Sequence, residues 1–256
     1  MFGILNLDKP RGWTSRDAVN RVQSLARGVK AGHAGTLDPL ASGVLVVCLG
    51  PATRLIPYVQ QMLKTYRATF LLGRRSPSDD VETTVEPLAD AQPLTEAAIR
   101  AALPHFLGEI CQRPPAYSAK KVAGRRAYAL ARAGESVALP ESRVRVDQLT
   151  IRQYAYPKLE LEIVCGAGFY VRSLGRDLAE TIGSAAVMSA LERTAVGCYA
   201  IDAAIPADRL DRSSLAEALL PPVTALEHLP KVSLSASQLE HIRHGRAIDD
   251  SPGLPG

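Results

Sequence analysis

Twelve consecutive residues constrain this chain more than any others: Gly32-His33-Ala34-Gly35-Thr36-Leu37-Asp38-Pro39-Leu40-Ala41-Ser42-Gly43. Three glycines in that stretch oppose a helix and let the backbone approach a ligand closely. Pro39 confines Asp38 to extended backbone. The apolar run Val44-Leu45-Val46-Val47-Cys48-Leu49 follows at once and reads as a buried strand. The segment thus predicts a rigid strand with one carboxylate at its mouth. An isolated Asp-Pro ordinarily marks a turn whose aspartate caps a neighbouring amide. A histidine five residues before the acid, within an ordered glycine pattern, points instead to a presented reactive group.

At 256 residues the chain holds one large domain, or one domain and a small appendage. The cysteines stand at 48, 111, 165 and 198, too far apart for a metal-ligand motif; Cys48 and Cys165 fall in apolar strand patterns and read as packing residues in a reducing cytosol. No apolar run is long enough to span a membrane and the start lacks a signal-peptide pattern, so a cytoplasmic protein is expected. The net charge of +4 says little, but its distribution says more. Between positions 111 and 145 eight bases face two acids, a net +6, whereas residues 76–96 carry six acids and no base. A local basic face suits a phosphate backbone, and Tyr117 and Tyr128 among the bases add rings that can stack on splayed bases.

Periodicity gives a first strand at residues 3–7 and a helix capped by Thr14 or Ser15, with Ala18, Val22, Leu25 and Ala26 on one face and Gly28 as its stop. A short helix is expected near 55–63, then a half-buried strand at 65–72 with Tyr66, Ala68, Phe70 and Leu72 on one side. Residues 76–90 read as a long exposed acidic loop, 95–108 as a helix, and 125–132 as helical. Val144, Val146, Leu149 and Ile151 suggest a strand pair or one bulged strand. Leu159 to Cys165 alternate as another strand, and Val171, Leu174, Leu178 and Ile182 form a helix face. Without a strict βαβ rhythm, the fold class is α+β with a mixed, largely antiparallel central sheet and flanking helices. Residues 1–228 are expected to form the main domain. Residues 229–256 are too few for a core of their own, and the closing Ser-Pro-Gly-Leu-Pro-Gly has no packing logic.

The dodecamer resembles the catalytic motif of the pseudouridine synthases, in the TruB family that modifies the T-loop uridine of tRNA. Four further stretches match in that family's order: Gly3-Ile4-Leu5-Asn6-Leu7-Asp8-Lys9-Pro10 with Gly12, Lys64-Thr65-Tyr66-Arg67-Ala68, Pro115-Ala116-Tyr117-Ser118-Ala119-Lys120-Lys121, and Gly168-Phe169-Tyr170-Val171-Arg172-Ser173-Leu174. The resemblance implies a pseudouridine synthase fold, an RNA-clasping insertion at about 111–134, and a tail that opens like a small C-terminal RNA-binding domain. It implies conversion of uridine 55 to pseudouridine, with Asp38 as the initiating carboxylate, Arg172 as its cation, and Tyr66 as the ring that stacks on the base and helps remove the C5 proton. It further implies that His33 supports the flipped nucleotide, that Tyr170 and Leu191 border it, and that Lys9 and Pro10 buttress the loop. Lys64, Lys120 and Arg125 become candidate phosphate contacts.

The isomerisation breaks N1–C1′, turns the uracil and joins C5 to C1′; nothing is oxidised and no group enters, so neither cofactor nor metal is expected. A carboxylate can begin it by attacking C1′ or by removing the C2′ proton, and a stacked target must first be flipped out. The expected partner is the T-arm of tRNA, bound by a monomer with no membrane or protein partner. An RNA N-glycosidase, in which water captures the sugar, and a non-catalytic tRNA chaperone are the alternatives.

Overall fold

The computed structural model describes residues 1–89, 91–118, 120–122, 125–127, 130 and 139–248. In chain order it runs β1 (Gly3–Lys9), α1 (Ser15–Leu25), β2 (Ala31–His33), β3 (Ala41–Leu49), α2 (Ile56–Gln61), β4 (Lys64–Leu72), β5 (Arg74–Arg75), β6 (Glu86–Pro87), α3 (Glu96–Ala102) and β7 (Gly108–Gln112). It continues through β8 (Lys121–Val122), β9 (Arg125–Arg126), β10 (Ser142–Ala155), β11 (Lys158–Cys165), α4 (Val171–Thr181), β12 (Ala186–Val196), β13 (Tyr199–Ala200), β14 (Ile205–Pro206), α5 (Arg212–Glu217) and α6 (Ala236–Arg243). The central sheet has the order β14-β1-β3-β12-β4-β11-β10-β7, with β2 on β3 and β13 on β12. Its pairs are antiparallel except β1 with β14 and β3 with β12, so the α+β reading holds.

The two halves of the sheet differ in what covers them. On β1 and β3, Leu5, Leu7, Leu45, Val47 and Leu49 pack under α1 through Ala18, Val19 and Val22. The opposite faces, with Ile4, Val44, Val46 and Cys48, pack on Val59, Tyr199 and Ala225. Both faces are covered, which is why positions 44–49 are apolar without alternation. β4 and β11 alternate instead: Ala68, Phe70, Leu159, Leu161 and Ile163 meet Leu174 and Leu178 of α4 and Ile99 of α3. Their outer face carries Arg67 with Glu160 and Glu192 at 3.7 and 3.2 Å. Thr14 starts α1 with a capping box, its hydroxyl accepting from the Asp17 amide while Asp17 accepts from the Thr14 amide. The run from Val144 to Ile151 is one strand, β10, bulged twice against β11.

Two expectations are corrected. The acidic stretch at 76–90 is not simply an exposed loop: Ser78 and Asp80 are buried, the Val81 amide donates to Met188 of β12, and Glu86–Pro87 pairs with Arg74–Arg75. Its docking onto the sheet outweighs the solvation preference of its acids. Within the segment expected to be helical, Arg125–Arg126 is extended, pairing with Lys121–Val122, whereas Ala127 and Leu130 are helical and buried, so the helical reading holds only beyond Arg126 among the described residues. Tyr128, Ala129, Ala131 and Arg132 lie outside the described residues, as does the Ser-Pro-Gly terminus. The helix α6 buries no side chain.

Gly175 sets how closely α4 lies on β4, since a Cβ there would stand 2.3 Å from a Phe70 ring carbon. Gly175→Ala gains about 1 kcal/mol of helix propensity, but overpacking a fully buried ring costs about 1–3 kcal/mol. The variant is predicted to unfold at lower urea concentration than wild type with an unchanged m-value; an equal or higher midpoint would show that α4 can lift freely.

Candidate active site

The twelve-residue segment closes β2, forms the loop at residues 34–40 and opens β3, and it is tied down from several sides. The Ser15 hydroxyl, at the start of α1, accepts from the Leu37 amide at 2.8 Å and donates to the Leu37 carbonyl at 3.1 Å. The Gly12 amide donates to the Pro39 carbonyl at 2.7 Å, and the Ala41 amide to the Asp38 carbonyl at 3.0 Å. These bonds leave the Asp38 side chain 39% exposed at the edge of a cleft of about 390 Å³.

Behind it stands Arg172, second residue of α4 and only 7% exposed. Its Nη2 donates to Asp38 Oδ2 at 2.9 Å and to the Tyr117 carbonyl at 3.0 Å, and its Nη1 donates to Asp80 Oδ2 and the Ser78 carbonyl at 3.1 Å each. Asp80 is fully buried and is fixed by the Ser78 hydroxyl and the Glu82 amide. One turn along α4, Arg176 pairs with the adjacent Asp79 at 2.8 Å. Sequence reasoning paired Arg172 with Asp38 but missed Asp80, whose place in an acidic run gave no signal of burial.

Tyr66 enters the cleft from β4, on the face it shares with Ala68 and Phe70. Burial pushes its phenol up, and the charge and hydrogen bonding of Arg193 oppose that shift. Arg193 is directly across from Tyr66 in the β4–β12 register, with Leu191 across from Ala68, so all four share one face. Tyr170, just before α4, lines the cleft as well; its amide donates to Gln112 Oε1 at 3.0 Å, and burial raises its phenol. Arg193 is 2% exposed and had no role in the sequence reading. The available signal was an arginine two places from Leu191 on the inward parity of a strand.

The remaining candidates divide. Lys9 is fully buried beneath the loop, donating to the Pro10 and Trp13 carbonyls at 2.9 and 2.7 Å; burial pulls its ammonium down to about 8. Lys64 lines the cleft but its ammonium donates to the Gln60 and Met62 carbonyls, partners other than the expected phosphate. His33 is half-buried on β2 and does not line the cleft; burial, then Arg16, lower its pKa, and its Nδ1 lacks a hydrogen-bond partner among the described residues. Lys120 donates to Ser142 Oγ and the Pro140 carbonyl, and Arg125 is exposed on β9; neither borders the cleft. Among the described residues no group of His, Cys, Asp or Glu is arranged to hold a metal, and no helix is long and apolar enough to cross a membrane.

The architecture is found in solved structures. The chain aligns with a protein in a Cbf5–Nop10–Gar1 complex at TM-score 0.74 and 29% identity, covering 95% of this chain and 67% of that one. It aligns with another in an H/ACA RNP bound to a substrate RNA containing 2′-deoxyuridine at 0.72 and 27%, covering 96% and 68%. The fold is that of the pseudouridine synthases, and the chain is an enzyme of that class. The profile of the "TruB family pseudouridylate synthase (N terminal domain)" matches residues 23–171, and the chain belongs to that family. Its relatives include proteins named tRNA pseudouridine synthase B from Synechocystis sp., 42% identical over 97% of this chain and 86% of that protein, and from Thermobifida fusca, 40% identical over 97% and 87%.

Lys64 yields a prediction about pH. Burial lowers its ammonium from 10.5 to about 8, with Arg193 reinforcing the shift. Below pH 8 both folded and unfolded states carry the charge, and burying it opposes folding. Between about 8 and 10.5 the folded state releases the proton first, so this penalty fades as pH rises. The stability of wild type relative to Lys64→Met is therefore predicted to rise across that window in urea titrations. A difference that stays flat would mean the ammonium reaches solvent.

Proposed function

We propose that this protein converts uridine to pseudouridine in tRNA, at position 55 of the T-loop, with Asp38 initiating cleavage of the glycosidic bond. The observation that carries the reading is the 2.9 Å pair in which a buried arginine backs a carboxylate that opens onto the cleft. A site for binding alone has no need of that arrangement. The names of the relatives support tRNA as substrate.

Asp38 Oδ attacks C1′, or removes the C2′ proton, as the N1–C1′ pair leaves with the uracil. The base turns, C5 bonds to C1′ as the Asp38 oxygen leaves it (or, on the glycal route, as Asp38 returns the proton to C2′), and the C5 proton passes to an acceptor near Tyr66. The Tyr66 ring stacks on the flipped uracil, with Leu191 and Tyr170 completing the walls and His33 supporting the flipped conformation. Lys9 buttresses the loop from beneath. The segment at about 111–134, with Lys120 and Arg125, clasps the phosphate backbone, within a catalytic domain spanning 1–228 and followed by the start of an RNA-binding tail. The enzyme works in the cytoplasm as a monomer.

The test is treatment of an unmodified tRNA transcript, then carbodiimide labelling and primer extension. A labelled stop at position 55 is the expected result; an abasic site identifies a glycosidase and no change a chaperone. Asp38→Asn is predicted to abolish turnover while tRNA affinity stays within a few-fold, and multiple-turnover product from that variant would sink the assignment. Tyr66→Phe keeps the stacking ring and loses the hydroxyl, so folding and tRNA binding are expected to survive. Its single-turnover rate is predicted to fall by about 10²–10⁴, the usual worth of acid–base assistance. A wild-type rate would reduce Tyr66 to a stacking surface.

A further inference from the structure

Three nearly buried cations, Arg172, Lys64 and Arg193, line the cleft and a fourth, Lys9, lies buried beneath its loop; their charges are not equally available. Arg172 is matched by Asp38 and Asp80. Lys9 and Lys64 donate to main-chain carbonyls, and burial brings both ammonium groups down to about 8, so they keep their charge at neutral pH but give it up as pH rises. Arg193 is different. Its Nε donates to the Val44 carbonyl at 2.7 Å and its Nη2 to the Gly35 carbonyl at 3.2 Å, and among the described residues no carboxylate forms an ion pair with it. A guanidinium does not deprotonate in proteins. Arg193 is thus a persistent, 2% exposed positive charge on the cleft wall, beside the Tyr66 hydroxyl.

Its placement is built in. The two carbonyls it grips lie on either side of Asp38 in the chain, at Gly35 before it and Val44 after it. Gly43 presses so closely on the strand carrying Arg193 that a Cβ would stand 2.3 Å from the Arg193 carbonyl oxygen. A Cβ on Gly35, whose φ is +130°, would stand 3.4 Å from Arg193 Nη1. The bulge between Arg193 and Ala195 locally re-aims β12 at this point. Main-chain carbonyls alone do not neutralise a buried unit charge; an anionic guest does so best.

The reaction proposed above creates such a guest. When N1–C1′ breaks, the bonding pair leaves with the base, and the sugar carbon is taken by Asp38 or becomes the glycal. The free base is then a uracil anion, which must stay in the cleft while it turns. We propose that Arg193 is the electrostatic holder of that anion, stabilising the departing uracil and keeping it in place until C5 meets C1′. The inference rests on the pseudouridylation reading and assigns Arg193 to its cleavage and rotation steps. The groups facing this region are Arg193 on β12, Tyr66 and Lys64 on β4, Cys165 on β11 and Asp38 on the loop.

The test compares single-turnover consumption of the target N-glycoside in two tRNA transcripts, one with uridine and one with 5-fluorouridine, by mass spectrometry of digested nucleosides. Fluorine makes the leaving base a weaker base, so its departure needs less help. Wild type, Arg193→Lys, Arg193→Gln and Arg193→Met are measured, with melting temperature and tRNA affinity for each. Removing a preorganised electrostatic group is typically worth about 10²–10³ in rate. Arg193→Met and Arg193→Gln are expected to lose that factor on uridine, at least tenfold less on 5-fluorouridine, and little tRNA affinity. Arg193→Lys is expected to recover most of the loss. Equal losses on both substrates, a Gln variant as active as Lys, or a loss traced to tRNA affinity would overturn the proposal and leave Arg193 a structural staple. If Arg193→Met does not fold, the Lys and Gln pair decides. Failure of wild type to form pseudouridine would instead overturn the underlying reading.

Discussion

The guanidinium of Arg172 is the joint on which the site depends. It binds Asp38, Asp80 and the carbonyls of Ser78 and Tyr117, so three stretches far apart in sequence meet on one planar fork. Arginine suits this because its N–H donors diverge in fixed directions and its charge is permanent. At 7% exposure the bonds lie in a poorly solvated environment, where losing one partner leaves the other uncompensated. Asp38 is therefore positioned by the loop that carries it, by the docked acidic segment, and by the segment that leads into residues 120–130.

The sheet supplies the platform. β3 and β12 run parallel at the middle of the sheet, with Leu191 to Arg193 beside Ala41 to Gly43. The glycine-rich loop ends at this seam, so Asp38 lies beside the strands that carry Tyr66, Leu191 and Arg193. On one side of the seam both faces of the sheet are packed, and the strand bearing the loop is rigid. On the other side α4 covers the face that bears Tyr66, and its N-terminal turn delivers Arg172. The close approach at Gly175 and Phe70 thus bears on the reach of Arg172, although neither residue lines the cleft.

Local pattern and distant packing contributed differently. The cap of α1, read as Thr14 or Ser15, the unbroken apolar run of β3 and the alternation of β4 and β11 are consequences of neighbours within a few residues, and all were legible from the sequence. The same holds for Asp38, because glycine and proline around it restrict the backbone wherever the rest of the chain lies. The acidic segment was misread because composition reports average solvation. Asp80 is buried by a contact with an arginine 92 positions away, which outweighs that average.

By itself, the sequence determined an α+β chain with a carboxylate presented at the mouth of a buried strand, and its ordered motifs tied Tyr66 and Arg172 to that carboxylate. Only the tertiary structure decided how the surrounding charges are shared. It matched Arg172 with two carboxylates, turned Lys64 toward main-chain carbonyls, kept His33 off the cleft, and left Arg193 charged beside Tyr66 without an ion pair among the described residues. The reason is physical. Backbone conformation answers to adjacent residues, whereas burial and charge pairing depend on which distant segments the folded chain brings together.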